Sequence, residues 1–232
     1  MNLKDNVERV KERIVDAQQL SGIKTPVKIV AITKTHPASI ISDVIDVGLD
    51  TIGENRIQEA EEKFSLIAEV LPKVTKRLVG HLQSNKINKT LNIFDTIDSV
   101  DSLKLARKIG NKVKSLDRTI PILLEINTSR EDAKSGFNPN NIDDMLACFE
   151  IRGIEPRGLM TVGPLTSDIK RIREAFISLR ELHNLIKNQH SKKLEQFTEL
   201  SMGMSGDFEI AVEEGATMVR LGTALFGQRM AR

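Results

Sequence analysis

Apolar residues recur at helical spacing at the head of the chain, at Leu3, Val7, Val10, Ile14 and Ala17. That stripe predicts an amphipathic helix from about Leu3 to Leu20, ended by Gly22 and Pro26. The pattern then changes to blocks. Val27 to Thr33 is a continuous apolar run of strand length, and Pro37 opens a helix toward Val47. Thr51 to Gly53 is a short strand, followed by a charged helix through Glu59, Glu61 and Lys63. Arg77 to Gly80 and Phe94 to Ile97 supply two strands on either side of a short helix around Ile87 and Leu91. Ile120 to Ile126 and Ile154 to Met160 are further strands, with a helix near Ile142 to Phe149 between them. Beyond Asp168, the residues Ile172, Ala175, Phe176, Leu179, Leu182 and Ile186 line one helical face. Phe197 to Met202 and Thr217 to Leu221 are the last strands.

Apolar strands that each lead into a helix need both faces covered, which calls for a parallel sheet. Eight such units, with no linker, repeat or low-complexity stretch, predict an α/β fold: a single-domain (β/α)8 TIM barrel with an additional N-terminal helix. The expected boundaries are one domain over residues 1–232, with the helix at 1–22 and the barrel at 27–228. An open doubly wound sheet shares the alternation. In either architecture the polar residues at strand carboxyl ends gather at one mouth. These are Lys34 to His36, Glu54 to Arg56, His81 to Lys86, Glu125 to Thr128, Met160 and Thr161, Ser201 to Ser205, and Arg220 to Thr223.

Two of these ends carry the sharpest chemistry. Leu200 to Asp207 and Met218 to Gly227 each run from an apolar strand through glycines and small hydroxyl residues into a helix. Main-chain N–H groups at such a turn face an anion, glycine allows close approach, and hydroxyls add neutral donors. Ordinary helix caps at Ser205 and Thr223 are the simpler alternative for each turn taken singly. Lys34 follows a buried apolar run, where desolvation favours a free, nucleophilic amine, unless the side chain merely snorkels from the strand end. A lysine imine, a phosphate cradle and the cationic Arg220 between them fit pyridoxal 5′-phosphate.

Composition narrows the partners. The 34 basic and 32 acidic side chains nearly cancel, and eight Phe with no Trp or Tyr leave few stacking platforms, so no nucleic-acid role is expected. No apolar stretch reaches membrane-spanning length, and the charged first residues do not read as a signal peptide. The lone Cys148, set in an apolar run, reads as a buried structural thiol. A cytoplasmic location is the expectation. His36 and His81 lack carboxylate partners at ligand spacing, so no metal site is expected. His183 and His190, and the run Glu59, Glu61 and Glu62, read as solvated helix faces.

Several motifs in order carry a resemblance: Ala31-Ile32-Thr33-Lys34-Thr35, Gly53-Glu54-Asn55-Arg56-Ile57-Gln58-Glu59, Gly80-His81-Leu82-Gln83-Ser84-Asn85-Lys86, Lys134-Ser135-Gly136-Phe137, Gly158-Leu159-Met160 and the closing Ser201 to Gly227 region. From about Lys28 to Gln228 the chain resembles the pyridoxal phosphate homeostasis proteins, the YggS/PROSC family. The resemblance implies a barrel like the N-terminal domain of alanine racemase, with pyridoxal phosphate held as an imine on Lys34. It implies cofactor contacts from Asn55, Met160, Ser201, Gly203, Met204, Ser205, Gly222 and Thr223, and Arg220 beside the pyridine nitrogen. Family members often carry a second lysine two residues after the imine lysine. This chain has His36 there, so Lys86 and Lys134 are the candidates for a cofactor-transfer role.

An arginine at the ring nitrogen weakens the electron sink that pyridoxal phosphate enzymes use. In alanine racemase a second-domain tyrosine serves as one base, and this chain has no tyrosine. The expected function is therefore a monomeric carrier that binds and releases pyridoxal phosphate in its homeostasis. It has no catalytic residues and no turnover, and it supplies pyridoxal-phosphate-dependent apo-enzymes. The alternatives are a racemase-like pyridoxal phosphate enzyme using His81 or a lysine as proton shuttle, and a barrel aldolase or isomerase using Lys34 on a phosphorylated substrate.

Overall fold

The computed structural model describes residues 2–129, 131, 134–189 and 194–228. Helix α1 (Leu3–Ser21) begins where the Asn2 side chain accepts the Asp5 N–H at 2.9 Å, and it stops at Gly22, whose φ of 71° suits the left-handed turn. The alternation follows as β1 (Lys28–Ile32), α2 (Ile40–Asp46), β2 (Thr51–Glu54), α3 (Ile57–Ser65), β3 (Thr75–Leu78), α4 (Ile87–Ile93), β4 (Thr96–Val100) and α5 (Leu103–Lys114). It continues as β5 (Ile120–Glu125), α6 (Ile142–Ala147), β6 (Ile154–Met160), α7 (Ile169–Gln189), β7 (Glu199–Ser201), α8 (Phe208–Glu213), β8 (Met218–Leu221) and α9 (Thr223–Phe226). All eight strands pair in parallel, in sequence order, and β8 closes on β1, so the fold is a TIM barrel.

Strand periodicity divides the side chains between two environments. Ile29, Ala31, Ile122, Leu124, Leu159, Leu200 and Val219 point outward into the main core under the helices. Val30, Ile32 and Met218 form a separate apolar cluster, with Val79 packed on it, inside the barrel. Charged side chains are buried beside it. Arg77 Nε donates to Asp98 Oδ2 at 2.7 Å and its Nη2 to Glu199 Oε2 at 2.6 Å, while Thr96 Oγ1 donates to Asp98 Oδ1 at 2.9 Å. Gly158 is needed where β6 meets β7, since a Cβ there would lie 1.8 Å from the Glu199 carbonyl oxygen.

Strand pairing and helix capping set where the expected strand boundaries slip. β3 begins at Thr75, two residues before the expected Arg77, because Thr75 and Lys76 pair in register with Thr51 and Ile52 of β2 and the Thr75 N–H donates to the Asp50 carbonyl at 2.7 Å. β4 begins at Thr96, since Phe94 still caps α4 by donating its N–H to the Thr90 carbonyl. Cys148 is buried, and burial pushes its thiol up to about 12.

His183 corrects an expectation. Its ring lies in the core, stacked on Phe197 with centroids 4.8 Å apart, and Nε2 lies 3.1 Å from the Phe197 carbonyl oxygen. Burial first, then Lys187, pushes its pKa down from 6.5 to about 4. His190 lies outside the described residues. Between those two values the unfolded chain holds a proton that folded His183 refuses, so stability falls as pH drops through the window, by up to about 3 kcal/mol. Urea denaturation of the wild type and His183→Gln from pH 7 to pH 4 measures this; the difference between the two curves should shrink as the pH falls, and a constant offset contradicts the burial account.

Candidate functional site

At the carboxyl mouth, β1 runs on into a turn that carries Lys34. The Thr33 N–H donates to the Gly53 carbonyl at 3.1 Å, and the chain then reverses, with the His36 N–H returning to the Thr33 carbonyl at 3.1 Å. Thr35 adopts φ 66°, a left-handed conformation that β-branched residues avoid. Lys34 is half-buried on this turn. Asn55 follows the neighbouring strand β2, and its backbone approaches Gly80 so closely that a Cβ there would lie 2.2 Å from the Asn55 carbonyl oxygen.

The other wall comes from β6 to β8. Met160 is buried and pairs in register with Ser201, which lies beside Met218 on β8. Gly203 has φ 91° and no room for a Cβ, which would meet Ala211 of α8 at 2.6 Å. The next turn is closed twice, with the Met204 N–H donating to Asp207 Oδ1 at 2.6 Å and the Asp207 N–H to the Met204 carbonyl at 3.1 Å. Ser205 then crosses between the two glycine turns: its Oγ accepts the Gly222 N–H at 3.3 Å and the Ala224 N–H at 3.1 Å. The two turns are thus one structure, with a hydroxyl set on the N–H groups that open α9. Thr223 and Met204 are exposed at its rim.

Arg220 fills the space between Lys34's strand and this cradle. It pairs in register with Val30, is 6% exposed, and donates through Nη1 to the Ser201 carbonyl and Oγ, both at 2.8 Å, and through Nη2 to the Thr161 carbonyl at 2.7 Å. Burial pushes its pKa down, against the pull of Asp98, Asp207 and Glu125. Burial also raises the Glu125 and Asp207 carboxyls; Asp101 adds to the rise at Glu125, while Arg220 opposes it at both.

The mouth therefore collects Lys34 and Asn55 on one side and Met160, Ser201, Gly203, Met204, Ser205, Arg220, Gly222 and Thr223 on the other. The remaining candidates lie around it. The His36 ring packs 4.7 Å from Phe226 of α9. His81 Nδ1 lies 3.2 Å from Asp101 Oδ2 at the rim. Lys134 Nζ donates to Glu131 at 2.8 Å and to the Gly163 carbonyl at 3.3 Å, and half-buried Lys86 precedes α4. Among the described residues there is no cluster of three or more His, Cys, Asp or Glu fit to hold a metal, and no helix is long and apolar enough to cross a membrane. Sequence reasoning overlooked Asp98, which lies one residue past the expected end of its strand at Ile97 and inside the observed β4. It also overlooked Glu59, which is no solvated carboxylate: it accepts the Thr35 N–H and pairs with Lys63 at 3.4 Å.

Such a barrel, with a lysine at the end of β1 and an anion-compatible turn after β7 and β8, defines a class of phosphate-cofactor barrels. The family model for the alanine racemase N-terminal domain matches residues 2–230. The pyridoxal phosphate homeostasis protein of Aquifex aeolicus is 34% identical over 231 residues, covering 99% of each chain. A structure of an unknown protein from Bifidobacterium adolescentis superposes with a TM-score of 0.90 at 39% identity, covering 97% of this chain and 94% of that one. PipY of Synechococcus elongatus, solved with pyridoxal phosphate bound, superposes with a TM-score of 0.79 at 34% identity, covering 92% and 100%. The chain belongs to the alanine racemase N-terminal domain family and, within it, to the pyridoxal phosphate homeostasis proteins.

Arg220→Met leaves the buried Ser201 and Thr161 carbonyls without their donor, and should lower stability by about 2–5 kcal/mol at roughly 1–3 kcal/mol for each. Urea denaturation at pH 7 checks this, and a wild-type midpoint in the variant would contradict the account of Arg220 as the charge that holds the interior together.

Proposed function

We propose that this chain binds pyridoxal 5′-phosphate at the barrel mouth as a Schiff base on Lys34 and releases it again, serving cofactor homeostasis without turnover of its own. The observation that carries the reading is the convergence, on the hydrogen-bonded strands β1 and β8, of the Lys34 turn, the Ser205 cradle and buried Arg220. The family's name and the cofactor in the PipY structure support the choice of ligand.

The donor set fits that group. Ser205 Oγ accepts the Gly222 and Ala224 N–H groups, which leaves its hydroxyl proton to donate, and with the Thr223 hydroxyl it gives a phosphate neutral donors where the chain enters α9. The nearby carboxylate, Asp207, has one oxygen on the Met204 N–H and is shifted toward its neutral form. Bound pyridoxal phosphate supplies an aldehyde for an amine and a ring that withdraws electrons. Lys34 supplies the amine, and Met160, Asn55, Ser201, Gly203 and Met204 wall the ring and phosphate. Arg220 is a donor-only group, so at the pyridine nitrogen it provides a hydrogen bond and no acidic partner to hold a proton there. With no tyrosine in the chain, the racemase's second-domain base has no counterpart. The racemase-like alternative would rely on a lysine or on His81, whose side chain is 57% exposed beside Asp101 at the rim.

On this reading the protein works as a cytoplasmic monomer and hands the cofactor to apo-enzymes, with Lys86 and Lys134 as candidates for the transfer. Two measurements test it. Wild-type protein should show the visible absorption of the lysine-bound cofactor, and borohydride should fix the cofactor on the Lys34 peptide. Lys34→Ala should lose both, and a persisting band would sink the assignment. Incubation with amino acids in deuterium oxide should leave the α-hydrogen in place; rapid exchange would favour the racemase-like reading.

A further inference from the structure

Beneath the Lys34 turn lies a group of ionisable side chains that the proposed function does not use. Glu54, at the end of β2, is fully buried, and Lys63 of α3 is 5% exposed. Lys63 Nζ donates to Glu54 Oε1 at 2.5 Å, to the Thr33 carbonyl at 2.7 Å and to Glu59 Oε1 at 3.4 Å. Thr33 Oγ1 donates to the same Glu54 oxygen at 2.7 Å, and Glu59 Oε1 accepts the Thr35 N–H. The residues immediately before and after Lys34 are therefore both tied to one ion cluster.

Stability alone is a poor account of this cluster. A buried lysine–carboxylate pair is often no better than well-packed apolar residues of similar volume. Here Glu54 Oε2 is buried with no hydrogen-bond partner among the described residues, and burial raises the Glu54 carboxyl against the pull of Lys63 and Thr33. Thr35 at φ 66° adds backbone strain, since a β-branched side chain is crowded in the left-handed region. Strain of this kind persists where surrounding contacts over-determine the backbone. Those contacts are the Glu59 carboxylate on the Thr35 N–H and the Lys63 ammonium on the Thr33 carbonyl.

We infer that Lys63, Glu54 and Glu59 are positioning residues that lock the Thr33–His36 turn and so aim Lys34 at the cofactor mouth. α3 thereby reports to Lys34 without touching the cofactor. The inference rests on the reading of Lys34 as the cofactor-holding lysine, and its test has one arm that does not.

Glu59 is 26% exposed, so its variants should fold where Lys63→Met fails to. Glu59→Gln keeps an acceptor for the Thr35 N–H and Glu59→Ala removes it. In the full chain without added cofactor, hydrogen exchange read by NMR should show the Thr35 amide exchanging roughly tenfold or more faster in Glu59→Ala, with Glu59→Gln close to wild type. With pyridoxal phosphate added, the rate of lysine-linked band formation should fall roughly 10- to 100-fold in Glu59→Ala and be largely restored in Glu59→Gln, since small misplacements of a reacting group have effects of this size. Equal exchange in the alanine and glutamine variants overturns the lock. A released Thr35 amide with unchanged band formation overturns its role in aiming Lys34. A wild-type chain that never takes up cofactor on Lys34 sinks the functional reading instead, and the lock is then judged on the exchange rates.

Discussion

Closure of the barrel through β1 and β8 is the constraint on which the site depends. Val30 and Ala31 pair in register with Arg220 and Leu221, so a lysine near the start of the chain and two glycine turns near its end become neighbours. Gly222 sits with its Cβ position 3.7 Å from Ile32, close enough for ordinary contact and no more. Helix α1 braces this arrangement from outside. Asn6 Nδ2 donates to the Leu225 carbonyl at 2.7 Å, and Arg13 lies 4.5 Å over the Phe208 ring and pairs with Glu209. The helix that precedes the barrel therefore packs on α8 and α9, the two helices that follow the cradle turns, and helps to hold them against β1.

Closure also creates an interior that must be filled, and here it is filled unequally. Val30, Ile32, Val79 and Met218 make an apolar side, whereas Arg77, Asp98, Glu199, Glu125 and Arg220 bring charge. Desolvation penalises each of these ions, so each must be paired and hydrogen-bonded. Asp98 serves both arginines: it holds Arg77 directly and stabilises the charge on Arg220. The pairing keeps Arg77 charged, its pKa raised by Asp98 and Glu199 against burial. Arg220 is thus held by neutral oxygens of Ser201 and Thr161, with the carboxylates acting on it at longer range.

How far this was legible in the sequence depended on whether a residue's environment could be inferred from its neighbours along the chain. Lys34 was visible because a charge ends an apolar strand, and Ser205 and Gly222 because glycine and hydroxyl residues separate strand from helix. The simpler reading of Ser205 as a cap was half right, since it caps a helix, but the helix belongs to the other turn. Glu59 and Lys63 were misread for a physical reason: a Glu–Lys pair four residues apart is what a solvated helix face carries. Only the docking of α3 against the ends of β1 and β2 turns that pair inward. His183 failed in the same way, because a polar residue beside an apolar stripe gives no sign that Phe197 will cover it.

The distinction between holding a coenzyme and using it follows, in the proposed function, from how firmly Arg220 is held. Its Nη atoms are committed to Ser201 and Thr161, and Asp98, Asp207 and Glu125 all favour its charged form. A guanidinium so fixed cannot take the part of a carboxylate that keeps a ring nitrogen protonated, and moving it away would strand those acceptors in the barrel. On that reading, the group that weakens the electron sink is the same group that adds positive charge among Asp98, Asp207 and Glu125. If the chain is such a carrier, turning it into a catalyst means changing the interior charge and the ring partner together. The lock inferred for the Lys34 turn carries no such conflict, since its contacts fall on Thr33 and Thr35 and not on Arg220, so it can order the amine without altering the ring's electronics.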